Sequence, residues 1–310
     1  MYMNKFLSCD WGTSTFRLRL VNTITHKVLD EVVSKQGIAE TFQNWRATGL
    51  PEKERIGFYT NILRGAVRQL SSDIDPITPI ILSGMASSTM GLQEMPYQKF
   101  PFTWAVAQLP IQKIGENAPF SHPLYLVSGF RTETDIMRGE ETLLLGCNID
   151  DDREKVFIFP GTHSKHVWVK NQIAFDFKTY MTGEFFHLLA TKSILANSVE
   201  RGNDFEAFSA GVKAAMADGN LLHNTFLTRT RHILSQSHPL SNYQYLSGLL
   251  IGYELKTLVP DVPVYLVCGA ELQESYKNAL ILRGLKNDII CINADDALIN
   301  GHCKIASCFL

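Results

Sequence analysis

At 310 residues, the chain is long enough for two domains of ordinary size. Hydrophobic residues make up 45% and charged residues 19%, with a formal charge of −2, so a sizeable core can form and the basic excess of nucleic-acid or membrane-surface binders is absent. No apolar run approaches membrane-spanning length, residues 1–9 lack a signal-peptide pattern, and the six cysteines show no paired metal spacing, which together predict a cytoplasmic, reducing setting with Cys9, Cys147, Cys268 and Cys291 as small buried residues.

The first stretch with a chemical signature runs from Phe6 to Arg17. The apolar run Phe6–Cys9 predicts a buried strand that stops at Asp10, turns on Gly12 and resumes with alternating polarity over Phe16–Val21. The tip of this hairpin carries Gly12, Thr13 and Ser14. Glycine lets a backbone approach a ligand closely, and turn N–H groups can cradle an anion. Asp10 suits a hydrated Mg²⁺ held against the same phosphates. The plainer reading is an ordinary hairpin with an Asx-type turn. Val28–Val33 completes a meander, residues 34–60 are mixed, and Tyr59–Leu70 has apolar residues at helical spacing. Pro79–Leu82 predicts a short internal parallel strand. It leads into Ser83, Gly84 and Met85, a strand-to-helix turn of the kind that often holds ligands. Residues 91–123 are rich in proline, carry Trp104, and read as a substrate-facing loop. A strand is predicted at Leu124–Val127 and a helix at Asp135–Gly146, ending on glycine. The acidic stretch Asn148–Asp152 marks the domain boundary, giving domains 1–147 and 148–310.

The second half repeats the opening. Val156–Phe159, the turn Pro160-Gly161-Thr162-His163-Ser164-Lys165 and the following strand to Val169 reproduce the strand, Gly-Thr turn and strand, and Ile173–Tyr180 supplies a third strand. Downstream, Pro263–Cys268 followed by Gly269 and Ala270 matches Pro79–Ser83 followed by Gly84 and Met85. Two such pairs in the same order point to a duplicated α/β unit with its Gly-Thr tips facing across a cleft. Helices are predicted at Thr182–Ser198, through Ile233, at Tyr243–Leu258 with Gly248 and Gly252, at Glu271–Arg283 and at Ala294–Ile305, with a short strand at Ile289–Ile292. His163 and His166 point to opposite faces of their segment and have no third ligand nearby, which argues against a metal pair.

Five strings carry a family likeness: Asp10-Trp-Gly12-Thr13-Ser14, Met137-Arg138-Gly139-Glu140-Glu141-Thr142, Pro160–Lys165, Met181-Thr182-Gly183-Glu184 and Leu246-Ser247-Gly248…Gly252. Together they resemble the 2-keto-3-deoxygalactonate kinase family over nearly the whole chain. The resemblance implies the actin-like, sugar kinase and Hsp70 ATPase superfamily, with two ribonuclease H-like α/β domains around an interdomain nucleotide cleft. It also implies ATP and Mg²⁺ as cofactors and phosphorylation of 2-dehydro-3-deoxy-D-galactonate to its 6-phosphate in galactonate breakdown. The chain departs from the family pattern at His166, at Ser87-Ser88-Thr89, at Leu92 and at Lys192.

Within that frame, Asp10 is the metal residue and Gly12, Thr13 and Ser14 hold one side of the phosphates. Gly161, Thr162, Ser164 and Lys165 hold the other, with Arg17 as an alternative cation. Gly269 and Ala270 resemble the superfamily's adenosine motif, while Ser247, Gly248 and Gly252 read first as helix packing and then as nucleotide contacts. The sugar acid falls to Ser83, Gly84, Met85, His163 and Glu184. The proton acceptor is one of three acids: Glu140 by counting back from Gly146, Asp135 as the alternative, and Glu141, one step round the helix, with a structural role as its other reading. Arg138 is placed beside it to bind a carboxylate. The expected partners are ATP and a sugar acid, with no nucleic acid or membrane and a homodimer left open. The alternatives are a kinase for a related keto-deoxy acid and a non-catalytic nucleotide sensor on the same fold.

Overall fold

The computed structural model describes residues 4–70, 74–103, 105–114, 120–149, 152–217, 219–259, 262–285 and 289–309. Trp104, Pro119 and the acidic residues Asp150 and Asp151 lie outside the described residues. The chain divides into two compact units. The first comprises residues 1–151, 172–176 and 294–310, and the second residues 152–171 and 177–293.

The first unit is built on a mixed sheet. Its strands are β1 (Lys5–Trp11), β2 (Phe16–Asn22), β3 (Val28–Ser34), β4 (Ile80–Gly84), β5 (Ile111–Ile114) and β6 (Leu124–Val127), in the order β3-β2-β1-β4-β6-β5. The first three form the antiparallel meander, and β1, β4 and β6 run parallel. β4 is buried along its whole length, as expected of an internal parallel strand. Leu7, Cys9 and Trp11 of β1 pack with Ile80 and Leu82 against helices α1 (Ile38–Ala47) and α2 (Arg55–Val67). The α1 helix was hidden in a mixed stretch, although Ile38, Phe42 and Trp45 stand at i, i+4 and i+7.

The helix predicted over Asp135–Gly146 is shorter and begins at Glu140 (α3, Glu140–Gly146). Ile136 and Met137 instead pair antiparallel with Arg131 and Phe130. Gly139 then turns the chain with φ 106°, a conformation open to glycine and strained for other residues. The C-terminal helix, Ala294–Ala306, packs tightly on α3. A Cβ on Gly301 would lie 2.2 Å from the Thr142 carbonyl oxygen, so only a bare α-carbon permits the approach. This packing is why residues 294–310 belong with the first unit.

The second sheet has strands β7 (Lys155–Phe159), β8 (Ser164–Lys170), β9 (Ile173–Tyr180, of which residues 173–176 count with the first unit), β10 (Val264–Cys268) and β11 (Ile289–Asn293), in the order β9-β8-β7-β10-β11. Again a meander is followed by two parallel strands, β10 and β11. The helices are α4 (Thr182–Lys192), α5 (Phe205–Met216), α6 (Leu221–Leu234), α7 (Pro239–Leu255) and α8 (Ala270–Leu282). The predicted helix to Ser198 breaks at Ser193, whose hydroxyl accepts the Leu195 N–H and caps a short 3₁₀ turn. α5 and α7 cross at small residues: a Cβ on Gly248 would sit 2.1 Å from the Phe208 carbonyl oxygen, and one on Gly211 2.1 Å from that of Tyr245. Cys9, Cys147 and Cys268 are buried as expected, whereas Cys291 is only partly so.

Candidate active site

In the first unit the chemistry gathers at the C-terminal ends of β1 and β4. Asp10 lies opposite Arg17 on β2 and beside Ser83 on β4. Gly84 has φ 84°, and a Cβ there would come within 2.9 Å of the Trp11 carbonyl and 3.3 Å of an Asp10 carboxylate oxygen. Gly139, the residue before α3, lies against Gly84 as well, with 3.6 Å from its would-be Cβ to the Gly84 α-carbon. Glycines at these two points bring the strand end and the first turn of α3 together. Burial pushes the Asp10 carboxyl above its ordinary range. Arg17 and Arg19 oppose the shift, while Asp295 and Glu140 add to it. Glu140 is part-exposed, and its carboxylate accepts the Arg138 backbone N–H at 3.0 Å.

Glu141 is wholly buried. The Gly139 N–H donates to its two oxygens at 2.9 and 2.8 Å. Desolvation, reinforced by Glu140, raises its carboxyl to about 8. It is held by the turn that precedes its own helix. Asp135, the alternative proton acceptor, precedes α3 and accepts the N–H of the adjacent Ile136 at 2.7 Å. It shares no helix with Glu140, so the expected helical spacing between these acids does not exist.

Arg138 is turned toward the ligand turn. Its guanidinium donates to the Ser87 carbonyl at 2.6 Å and to the Ser87 hydroxyl, and it lies 4.2 Å from the Tyr97 ring centroid. Ser83 is buried, and its hydroxyl is joined to His302 Nε2 at 3.0 Å, with His302 Nδ1 at 2.7 Å from the Ser8 hydroxyl. Ser83 therefore ties the two central strands to the C-terminal helix instead of lining the turn. Met85 packs against the hydrophobic core. Arg17 is paired with Asp295 at 2.7 Å and Glu31 at 3.6 Å. Thr13 and Ser14 are exposed at the hairpin tip. Gly12 donates its N–H to the Thr15 carbonyl, and the carbonyls of Gly12 and Thr13 accept the N–H groups of Ile38 and Ala39 at the start of α1.

The second unit treats its own Gly-Thr turn the same way. The Thr162 carbonyl accepts the Glu184 N–H at 3.0 Å in the first turn of α4. Gly183 makes the approach possible, since a Cβ there would lie 2.4 Å from the Gly161 carbonyl oxygen. Gly37 does the same for the first turn, 2.3 Å from the Thr13 carbonyl oxygen. Gly161 faces open space, and Thr162 and His163 are exposed. His163 Nε2 is 2.5 Å from a Glu184 carboxylate oxygen, so these two residues engage each other. Lys165 is buried and donates to the His163 carbonyl at 3.1 Å. Ser164 is also buried, with its oxygen accepting the Gly161 N–H at 3.4 Å and lying 2.9 Å from the Tyr276 hydroxyl. Through these two contacts Ser164 links the turn to Tyr276 of α8.

A pocket of about 220 Å³ opens beside this turn. Its floor is Gly161, Thr182 and Gly183. α7 contributes Tyr243, Gln244 and Ser247, the 201–203 loop contributes Arg201 and Asn203, and α8 contributes Glu271, Ser275 and Tyr276. Phe186 and Tyr243 meet edge to face, with ring centroids 4.9 Å apart. Gly269 and Ala270 stand exposed at the N-terminus of α8, one residue before the pocket wall. Gly248 is turned away into α5, as is Gly252, whose Cβ would lie 2.6 Å from that of Ala215. Of the small residues predicted on α7, only Ser247 reaches the pocket. The α7 face was legible as Tyr243, Ser247 and Leu250 at i, i+4 and i+7. The 201–203 loop gave no periodic signal.

The pocket offers what a nucleotide requires: aromatic and polar walls, two helix N-termini and a glycine turn with free space above it. Asp10 suits a divalent cation that takes most of its ligands from phosphate and water. Among the described residues there is no cluster of three or more His, Cys, Asp or Glu able to hold a metal by itself.

The family model for 2-keto-3-deoxy-galactonokinase matches residues 10–305. The chain is 30% identical over 238 residues to the 2-dehydro-3-deoxygalactonokinase of Escherichia coli (strain K12), covering 74% of this chain and 78% of that one. It is 29% identical to a Rhizobium meliloti (strain 1021) protein assigned the same activity, covering 96% and 94%. A crystal structure of a Sinorhizobium meliloti protein, also assigned as a 2-dehydro-3-deoxygalactonokinase, superposes with a TM-score of 0.83 at 27% identity, covering 98% of this chain and 96% of that one.

Proposed function

The chain belongs to the 2-keto-3-deoxy-galactonokinase family, and on that footing we infer that it transfers the γ-phosphoryl group of ATP to the terminal hydroxyl of 2-dehydro-3-deoxygalactonate. The hydroxyl oxygen attacks the γ-phosphorus, the bond to the bridging oxygen breaks, ADP leaves, and the hydroxyl proton passes to Glu140. The observation that carries the reading is the position of Glu140 in the first turn of α3, behind a glycine that abuts Gly84 at the strand end bearing Asp10. Asp10 would hold the Mg²⁺, which would supply neutralisation of phosphate charge. Arg138 fixes the Ser83–Ser88 turn through Ser87, and the backbone of Gly84 and Met85 there receives the sugar acid.

We assign the nucleotide to the second unit and the sugar acid to the first; the division expected from the sequence, 1–147 and 148–310, differs in that residues 294–310 count with the first unit. Adenosine takes the pocket between α7 and α8, with Gly269 and Ala270 at its lip, and the phosphates lie toward Gly161 and Thr162. We read the two sheets as copies of one ribonuclease H-like unit. This is supported by the shared strand order and by the helix N-terminus that each Gly-Thr turn meets through a glycine.

The test is coupled detection of ADP release with ATP and a panel of keto-deoxy sugar acids. The predicted result is turnover with 2-dehydro-3-deoxygalactonate far above its C4 epimer and above the acid-free background. Equal background release with every acid would overturn it.

A further inference from the structure

A buried polar chain lies under the phosphate turn of the second unit. Tyr276 Oη is 2.7 Å from Glu254 Oε2 and 2.9 Å from Ser164 Oγ, and Glu254 Oε1 is 2.9 Å from His166 Nε2. Ser164, His166 and Glu254 are all within a few per cent of complete burial. The donor order follows from chemistry. Burial and the neighbouring Glu254 carboxylate hold the Tyr276 phenol well above its usual range, so it stays protonated and donates to that carboxylate, which is only an acceptor. The Ser164 hydroxyl then donates to the Tyr276 oxygen, leaving a Ser164 lone pair for the Gly161 N–H at 3.4 Å. His166 donates to the remaining Glu254 oxygen. Each member has a partner, so the chain specifies one geometry. Tyr276 also forms part of the pocket wall, so one residue belongs both to the pocket and, through its hydroxyl, to the support of the Gly161-Thr162 turn.

Resting on the nucleotide reading of this pocket, we propose that Tyr276, anchored by Glu254, is a positioning residue that sets the Gly161-Thr162 turn through Ser164 and thereby aligns the γ-phosphate of a nucleotide held in the pocket. An all-apolar packing would hold α7, α8 and β8 together equally well. The buried carboxylate, its two hydrogen-bonding partners Tyr276 and His166, and Ser164 beyond Tyr276 have their use in fixing an orientation.

The experiment uses the full chain and measures ATP affinity by tryptophan fluorescence together with kcat for wild type, Tyr276→Phe, Ser164→Ala and the double variant. Tyr276→Phe keeps the ring against the pocket and removes only the hydroxyl. Misplacing a reacting group by about 1 Å costs on the order of 100-fold, and a loosened turn costs less, so kcat should fall about 10- to 100-fold while the Kd for ATP changes less than about threefold. The double variant should be no worse than the poorer single one, because both remove the same link. Ser164→Thr, which retains the hydroxyl, should recover most of kcat. A Tyr276→Phe protein with lowered Tm but unchanged kcat below its transition would overturn the proposal, as would multiplicative losses in the double variant. Failure of wild type to bind ATP would instead defeat the nucleotide reading itself.

Discussion

At the scale of single residues, the account turns on two adjacent acids in different environments. Glu140 is part-exposed at the start of α3, and Glu141 is sealed behind it. Removing a general base costs ~10²–10⁴ in rate, so Glu140→Gln should lose kcat by that order with ATP affinity retained, while Asp135→Asn, outside the helix, should stay within a few-fold. Steady-state kinetics of the pair decide the roles, and the reverse ranking makes Asp135 the acceptor. Glu141 predicts a pH effect of known sign. Its folded carboxyl keeps its proton to about 8, against 4.5 in the unfolded chain. The folded state therefore binds the extra proton between those values. Its contribution to stability is complete below the lower one and is lost as pH rises to the upper, at up to ~1.4 kcal/mol per pH unit. Glu141→Gln should flatten that decline, so melting curves on either side of the interval should converge relative to wild type, and unchanged curvature would count against the buried carboxyl. The sequence made Asp10, Gly12 and Gly161 legible because a strand that ends on Asp or Pro and turns on glycine is a local pattern. It misled at Ser83, whose hydroxyl is engaged by His302, 219 positions away, a partner no local pattern names.

At the scale of elements, close approach at glycine governs both sites. Gly183→Ala would drive a methyl group into the Gly161 carbonyl, 2.4 Å from the new Cβ. The start of α4 must then back away from the turn. The expected outcome is a loss of about 1–3 kcal/mol in chemical denaturation together with a raised KM for ATP. A raised KM without destabilisation would show that the turn, not the helix, gives way. Element order was largely legible because each strand of the two meanders is a run of apolar or alternating residues bounded by turn chemistry. The errors have physical causes. Ile136 and Met137 form a two-residue strand too short for a period. Gly139 was read as the interior of a helix when its positive φ marks the start of one. For Gly248 the two readings offered were helix packing first and nucleotide contact second, because a small residue marks close approach without saying to what, and here the neighbour is the Phe208 carbonyl of α5.

At the scale of the whole molecule, the strand, Gly-Thr turn and strand read twice in the sequence carried the α/β architecture, since each occurrence opens a meander followed by parallel strands. The return of residues 294–310 to the first unit was not legible, because it depends on Gly301 meeting Thr142 and on Lys304 donating to the Leu145 carbonyl at 2.8 Å, contacts between segments about 160 positions apart. The central claim is a phosphoryl transfer to one hydroxyl of one sugar acid, completed by Glu140. The most direct measurement is proton-coupled ³¹P NMR of the protein with ATP, Mg²⁺ and 2-dehydro-3-deoxygalactonate. The account predicts loss of the γ-phosphate signal and growth of one phosphomonoester resonance split by two methylene protons, the mark of a terminal ester, and no such growth with Glu140→Gln. Inorganic phosphate as the only product, or an ester split by a single proton, would contradict it.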